Sequence, residues 1–186
     1  EKDMFEHELH RVIPLILDGY SASIFVFGTA SSDKRELLTG IIHLLFDQLW
    51  LQLAKKTNSF QIQLNAVEIV EDAIFDLMNL DNHNLVIEYT DDGAQVSNLQ
   101  TSTLTSSNDF QILFTDIMHN RTQQVTEFGP KADKASFILT LKITYENIHS
   151  LLQFFEFPAA DKLIENPARL RMQESPDLNK ELFGIA

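Results

Sequence analysis

The chain is expected to fold as a single α/β domain, a mostly parallel central sheet flanked by helices. Three observations carry this. Short apolar strands alternate with helical apolar stripes along the whole length. The 186 residues, 44% of them apolar, suffice for one sizeable core but not for two. No internal repeat or linker-like tract divides the sequence, so residues 1–186 are read as one domain.

The elements follow in order. Phe5, Leu9, Val12, Ile13, Ile16 and Leu17 form one helical stripe, interrupted by Pro14 and closed by Asp18-Gly19. Ser21 to Phe27 reads as a short buried strand, and Gly28 to Asp33 as a loop. Leu37, Leu38, Ile41, Ile42, Leu44, Leu45 and Leu49 predict a long helix ending near Lys55-Lys56, where cations suit the helix dipole. A strand is expected from Phe60 to about Ile69, then a short helix around Asp72–Met78. Leu85–Tyr89 reads as a small strand before the turn signal Asp91-Asp92-Gly93. Ser97–Ser107 reads as a loop, after which Asp109 is expected to cap a helix carrying Phe110, Leu113, Phe114, Ile117 and Met118. Phe137–Ile143 and Leu151–Phe157 are the last strands, and Leu178, Leu182 and Ile185 suggest a final helix.

Charge narrows the function. Fourteen basic and 27 acidic residues give −13, and the stretch between Lys56 and Arg121 holds ten carboxylates and no base. Such a chain is a poor partner for nucleic acid or an anionic membrane surface, where neutralisation of phosphates supplies most of the affinity. Without cysteine there are no disulfides, zinc–thiolate sites or cysteine nucleophiles. No apolar run approaches about 20 residues, and Glu-Lys-Asp-Met-Phe-Glu is no signal-peptide start. A cytoplasmic domain is expected.

The first strand–loop–helix unit, Leu17 to Gly28 followed by Thr29 to Gly40, resembles the kinesin motor domain around its P-loop. Four further stretches share the resemblance. Glu68-Ile-Val-Glu-Asp-Ala-Ile-Phe-Asp-Leu-Met78 is similar to the family's E-I-Y-N-E-x-I-x-D-L-L. Arg121 to Ser136 stands where switch I reads R-x-x-x-x-T-x-x-N-x-x-S-S-R-S-H. Leu152 to Lys162 stands where switch II reads L-x-x-V-D-L-A-G-S-E-R, and Leu178-Asn-Lys-Glu-Leu182 resembles the later I-N-K-S-L. The resemblance covers the middle of a motor, a P-loop NTPase-like fold truncated at both ends, and Asp18-Gly-Tyr20 leans toward its minus-end, C-terminal-motor branch.

Against the family pattern the nucleotide positions are altered. A P-loop, G-x-x-x-x-G-K-[ST], wraps phosphates in backbone N–H groups, adds a lysine and places a hydroxyl on Mg²⁺. Gly28 and Lys34 match, but the second glycine is Asp33 and the hydroxyl position is Arg35. A carboxylate about 4 Å from a phosphate charge is repelled by roughly 4 kcal/mol at an effective dielectric near 20. Asp33-Lys-Arg-Glu36 also has the D-x-x-E form of a capping box, in which Asp33 satisfies the helix N-terminus that phosphate would otherwise occupy. In switch I the Asn falls on Gly129, the serines on Ala132 and Asp133, and the arginine on Lys134. The final Ser-His falls on Ala135-Ser136, so Ser136 replaces a lost hydroxyl only with a slip of register. In switch II Glu156 and Asp161 keep carboxylates, while the glycine falls on Ala159. The family's switch I–switch II bridge is expected as Lys134–Asp161.

These departures lead to the expectation of a domain that is not an enzyme, with vestigial nucleotide positions and neither cofactor nor metal. Its expected role is a cytoskeletal interaction module. The partners implied are a microtubule, a catalytic kinesin subunit or a scaffold, with a heterodimer formed through flanking coiled-coil sequence. The microtubule-facing candidates are Arg169, Arg171, Asn179 and Lys180. The alternative is a kinesin-type ATPase with residual ATP binding through Gly28 and Lys34. His7 and His10 with Glu6, the sequon Asn120-Arg-Thr122, and the carboxylates of Glu68–Asp92 read as solvated surface. Phe154, Phe155 and Phe157 read as sheet core, and Trp50 as a half-buried flank of its helix.

Overall fold

The computed structural model describes residues 9–28, 33–57, 59–70, 73–90, 93–128 and 135–158. A 3₁₀ turn (Leu9–Arg11) leads into helix α1 (Val12–Leu17). Pro14 lies in the first turn of α1, where no intrahelical N–H bond is needed. Gly19 follows at φ +92, the left-handed geometry a helix exit favours in glycine. Next come β1 (Ala22–Val26), the long α2 (Lys34–Lys56), β2 (Phe60–Val70) and β3 (Ala73–Asp76). A separate hairpin, β4 (Val86–Thr90) with β5 (Gly93–Ser97), precedes β6 (Ser102–Leu104), α3 (Ser107–Phe128), β7 (Ala135–Tyr145) and β8 (Ile148–Glu156).

The main sheet runs β1-β8-β7-β2-β3, with β6 sharing the free edge of β2 beside β3. The expected α/β sheet with flanking helices is present, but its direction differs from the sequence reading. Among the described strands only β1–β8 is parallel, and the other pairings are antiparallel. For β7 and β8 the reason is chain length. β7 and β8 are joined by Glu146-Asn147 alone, with Glu146 at φ 51, and a two-residue link reverses the chain, whereas a parallel crossover needs a dozen residues or more.

Two further expectations are corrected. The segment expected as a short helix around Asp72–Met78 holds β3, because Ile74 and Phe75 pair against Ile69 and Glu68 of β2. Asp76 then ends the strand. Its buried carboxylate accepts Met78 N–H at 2.9 Å, Asn82 Nδ2 at 2.9 Å and Gln100 N–H at 2.8 Å. The stretch expected as a loop at Ser97–Ser107 contains β6. The final helix expected beyond Pro176 lies outside the described residues.

The core occupies one face of the sheet. Rows such as Leu64–Leu141–Leu152 and Ala66–Leu139–Phe154 cross β2, β7 and β8 and are fully buried. Over them lies α2, whose Leu38, Ile41, Ile42, Leu45, Phe46, Leu49 and Leu53 are buried at helical spacing. By length and mean hydropathy α2 would pass for a membrane span, but this stripe is the core of the sheet domain. Helix α3 packs beside it, Phe46 stacking on Phe110 with ring centroids 3.7 Å apart. Of the aromatic cluster, Phe154 is core, whereas Phe155 and Phe157 lie on the other face and stack on Phe25. Trp50 is partly buried, edge-on to Phe60.

Helix α3 opens with a reciprocal capping box. Ser106 Oγ accepts Asp109 N–H at 3.1 Å, and the Asp109 carboxylate accepts Ser106 N–H at 3.0 Å and Thr105 N–H at 2.9 Å. The N-cap is therefore Ser106, and the Asp109 expected there is its partner one turn on. The Thr105 hydroxyl first, then the Ser106 hydroxyl, hold the Asp109 carboxyl down at about 2, from an ordinary 3.8. Because the folded value is depressed, its contribution is complete above about pH 4 and is lost as pH falls toward 2. Asp109→Ala is expected to lower the melting temperature at neutral pH, with the difference from the parent closing below about pH 2. Phe110→Ala is expected to cost about 3–5 kcal/mol by urea denaturation, since the ring is fully buried between Phe46 and Phe114.

Candidate functional site

β1 delivers Gly28 to the sheet's end and α2 begins at Lys34, so the corner expected to meet phosphate is formed by those two residues. The Lys34 ammonium donates to the Gly28 carbonyl at 3.1 Å. Asp33 stands at the N-cap, but its carboxylate makes no capping bond. Its backbone, φ −77 and ψ 46, departs from the extended N-cap geometry that aims a side chain at the first free N–H groups. Only its carbonyl is engaged, by Leu37 N–H at 3.0 Å. The expected capping box is thus not formed: Asp33 and Glu36 both face solvent, and the helix N-terminus is not closed by its own side chain. At the family's hydroxyl position Arg35 offers no ligand to a metal ion, because a guanidinium has no lone pair to give.

Beside this corner three motif residues, far apart in sequence, converge. Register places them: Glu68 of β2 is opposite Phe137 of β7, and Phe137 is opposite Glu156 of β8. Glu156 in turn pairs with Val26 of β1, two residues before Gly28. The row therefore presents two carboxylates flanking one ring on the helix-covered face. Arg121 descends onto it from α3, its guanidinium 4.6 Å above the Phe137 ring. Its Nε donates to Glu68 Oε1 at 3.0 Å and its Nη1 to Glu156 Oε2 at 2.7 Å. Arg121 is 1% exposed and Glu68 fully buried. Burial pushes the Glu68 carboxyl up, while Arg121, and more weakly Arg35, pull it back.

The other expected residues are dispersed or outside the described part. Ser136 is a buried strand residue opposite Ile69; strand alternation points it to the face away from Arg121. Lys134, Ala159, Asp161, Arg169, Arg171, Asn179 and Lys180 lie outside the described residues, as does the expected Lys134–Asp161 bridge, and likewise Glu6 and His7. Among the described residues no three His, Asp or Glu side chains are grouped as a metal site.

The Arg121 cluster was not anticipated as a unit, though a signal existed. Arg121 continues the stripe Phe110, Phe114, Ile117 at helical spacing, and Glu68 and Glu156 each occupy core-facing positions of apolar strands. A lone charge on each of three apolar faces is a request for partners.

Comparison with known proteins is consistent with this geometry. A profile of the kinesin motor domain matches residues 1–183. The chain belongs to the kinesin motor domain family. It is 24% identical to human kinesin-like protein KIF18B across its whole length, spanning 24% of that protein. Over 76% of its length it is 26% identical to kinesin-like protein KIN-7J of Arabidopsis thaliana, spanning 16% of that protein. A solved fast kinesin, described for its ATPase mechanism and microtubule interactions, superposes with TM-score 0.78 at 18% identity over 97% of this chain and 56% of that one. The motor and motor homology domain of Kar3Vik1, fused to a synthetic heterodimeric coiled coil, gives 0.77 at 20% identity over 98% and 51%. The chain therefore spans about a quarter or less of these two curated relatives and about half of these solved chains.

This membership corrects the expectation that the domain is not an enzyme. Kinesin motor domains are ATPases, the relatives and neighbours are kinesins, and altered P-loop residues do not by themselves show inactivity.

Arg121→Met is expected to destabilise the fold by about 3–5 kcal/mol in urea denaturation, because it leaves two buried carboxylates facing one another without their counter-charge.

Proposed function

We propose that this chain is part of a nucleotide-responsive, microtubule-binding kinesin motor domain whose grip on ATP phosphates, made by Gly28 and Lys34, is weakened by Asp33. The observation that carries the reading is the state of the α2 N-terminus: the Asp33 side chain makes no cap hydrogen bond there, and the Lys34 ammonium donates to the Gly28 carbonyl. Convergence of Glu68, Arg121 and Glu156, from the three motif stretches that resemble the family, supports the same architecture. Asp33 is exposed, so its repulsion of a triphosphate is screened well below the buried limit. Arg35 adds positive charge two residues on and supplies no metal-binding hydroxyl.

A second reading rests on the likeness to Kar3Vik1. In it the domain works beside a second kinesin chain, joined through flanking sequence, with the cytoskeleton as its site of action. Arg169, Arg171, Asn179 and Lys180 are the proposed microtubule-facing residues. Their neighbours Glu165, Glu174, Asp177 and Glu181 moderate attraction to an acidic surface.

Titration with a fluorescent ATP analogue tests the nucleotide reading. Weak saturable binding is expected in the parent, loss in Lys34→Ala, and tightening by about tenfold in Asp33→Gly, equivalent to about 1.4 kcal/mol. Equal affinity in the parent and in Lys34→Ala would refute it. Cosedimentation at low and high salt tests the microtubule partner separately.

A further inference from the structure

The Arg121 cluster holds one cation and two acids, and the two acids are not equivalent. Glu156 receives the shorter bond, 2.7 Å, and keeps 8% of its side chain exposed. Glu68 is completely enclosed: Oε1 accepts from Arg121, while Oε2 is buried with no hydrogen-bond partner. Half of an ionised carboxylate left unsolvated in this way is costly, and adding a proton removes most of that cost. The charged groups facing Glu68 are Arg121 from α3, Arg35 from α2 and Glu156 from β8. The two cations favour its ionised form and the second acid disfavours it.

We infer that Glu68 is the proton-binding member of a pH-responsive clamp that joins β2, α3 and β8: on acidification it takes up a proton and leaves Arg121 fully committed to Glu156. Arg121 opens, and Glu156 lies within, the stretches Arg121–Ser136 and Leu152–Lys162 in which the family resemblance places its switches. A neutral Glu68 relieves the repulsion between the two acids and tightens the Arg121–Glu156 bond beside β1. Neither nucleotide nor microtubule is needed for this behaviour, so it stands apart from the functional reading above.

The sign follows from linkage. Burial raises the Glu68 carboxyl above its ordinary 4.5, so the folded chain binds more protons than the unfolded one just above that pH. The stabilisation is complete below about 4.5 and is lost as pH rises through the raised value.

Two measurements test the clamp. Urea denaturation of the whole chain from about pH 4 to about pH 8 compares the parent with Glu68→Gln, which mimics the neutral acid. The parent is expected to lose stability relative to Glu68→Gln as pH rises, by at most tenfold in the folding constant per pH unit, the limit for one proton. Parallel profiles would overturn the inference. Should Glu68→Gln not fold, ¹³C NMR of glutamate carboxyls in the parent decides: one carboxyl titrating above about 4.5 supports the clamp, and all titrating at or below that value refutes it.

Discussion

The structure turns on a guanidinium lying over a phenyl ring between two carboxylates. Arg121, Phe137, Glu68 and Glu156 are contributed by a helix and three adjacent strands, and they meet only if every register is right. A slip of one residue in β2 or β8 would turn its glutamate to the opposite face and leave Arg121 buried with part of its charge unmet. A buried ion cluster is seldom the cheapest way to stabilise a core, since desolvation offsets much of the Coulomb attraction. What it does well is penalise wrong arrangements, because each alternative strands a charge. Here that specificity is applied where β1, β8 and the end of α3 must be aligned for the Gly28–Lys34 corner to exist.

Around that cluster the rest of the fold is conventional hydrophobic packing with local polar staples. The stripe of α2 and the Phe46–Phe110–Phe114 stack cover the sheet. Asp76 and Asp109 each gather several N–H groups that their loops would otherwise leave unpaired. Both use the same chemistry, a short carboxylate accepting backbone donors at the end of a regular element. A tie of the opposite polarity, in which Lys56 and Tyr145 side chains donate to the Leu17 carbonyl, joins the end of α1, the end of α2 and the β7–β8 turn.

Much of this could be read in advance wherever a signal was periodic and local. α2 and its stripe, β1, β2, β7 and β8 all follow from apolar spacing that a helix or strand must bury. The misread parts were decided by partners. Ala73–Asp76 has no pattern that distinguishes a turn of helix from an edge strand until β2 is beside it. Asp33-Lys-Arg-Glu36 has the letters of a capping box, as Ser106–Asp109 does, yet only the second forms one, because capping depends on a backbone angle that composition does not encode. The family was legible because ordered motifs survive even where individual positions have changed. Activity was not legible, because altered P-loop residues do not by themselves show inactivity in a chain that belongs to a family of ATPases.

By itself, then, the amino-acid order determined the kind of domain, the helices and strands that make its core, and the kinesin resemblance, since all three depend on patterns carried by neighbouring residues. Only the tertiary structure decided which strands run parallel, whether Asp33 occupies the helix end, and that Arg121 joins Glu68 to Glu156. The physical reason is that these are contacts between residues tens of positions apart, set by sheet register and loop length, whose energies exist only once the chain has closed around them.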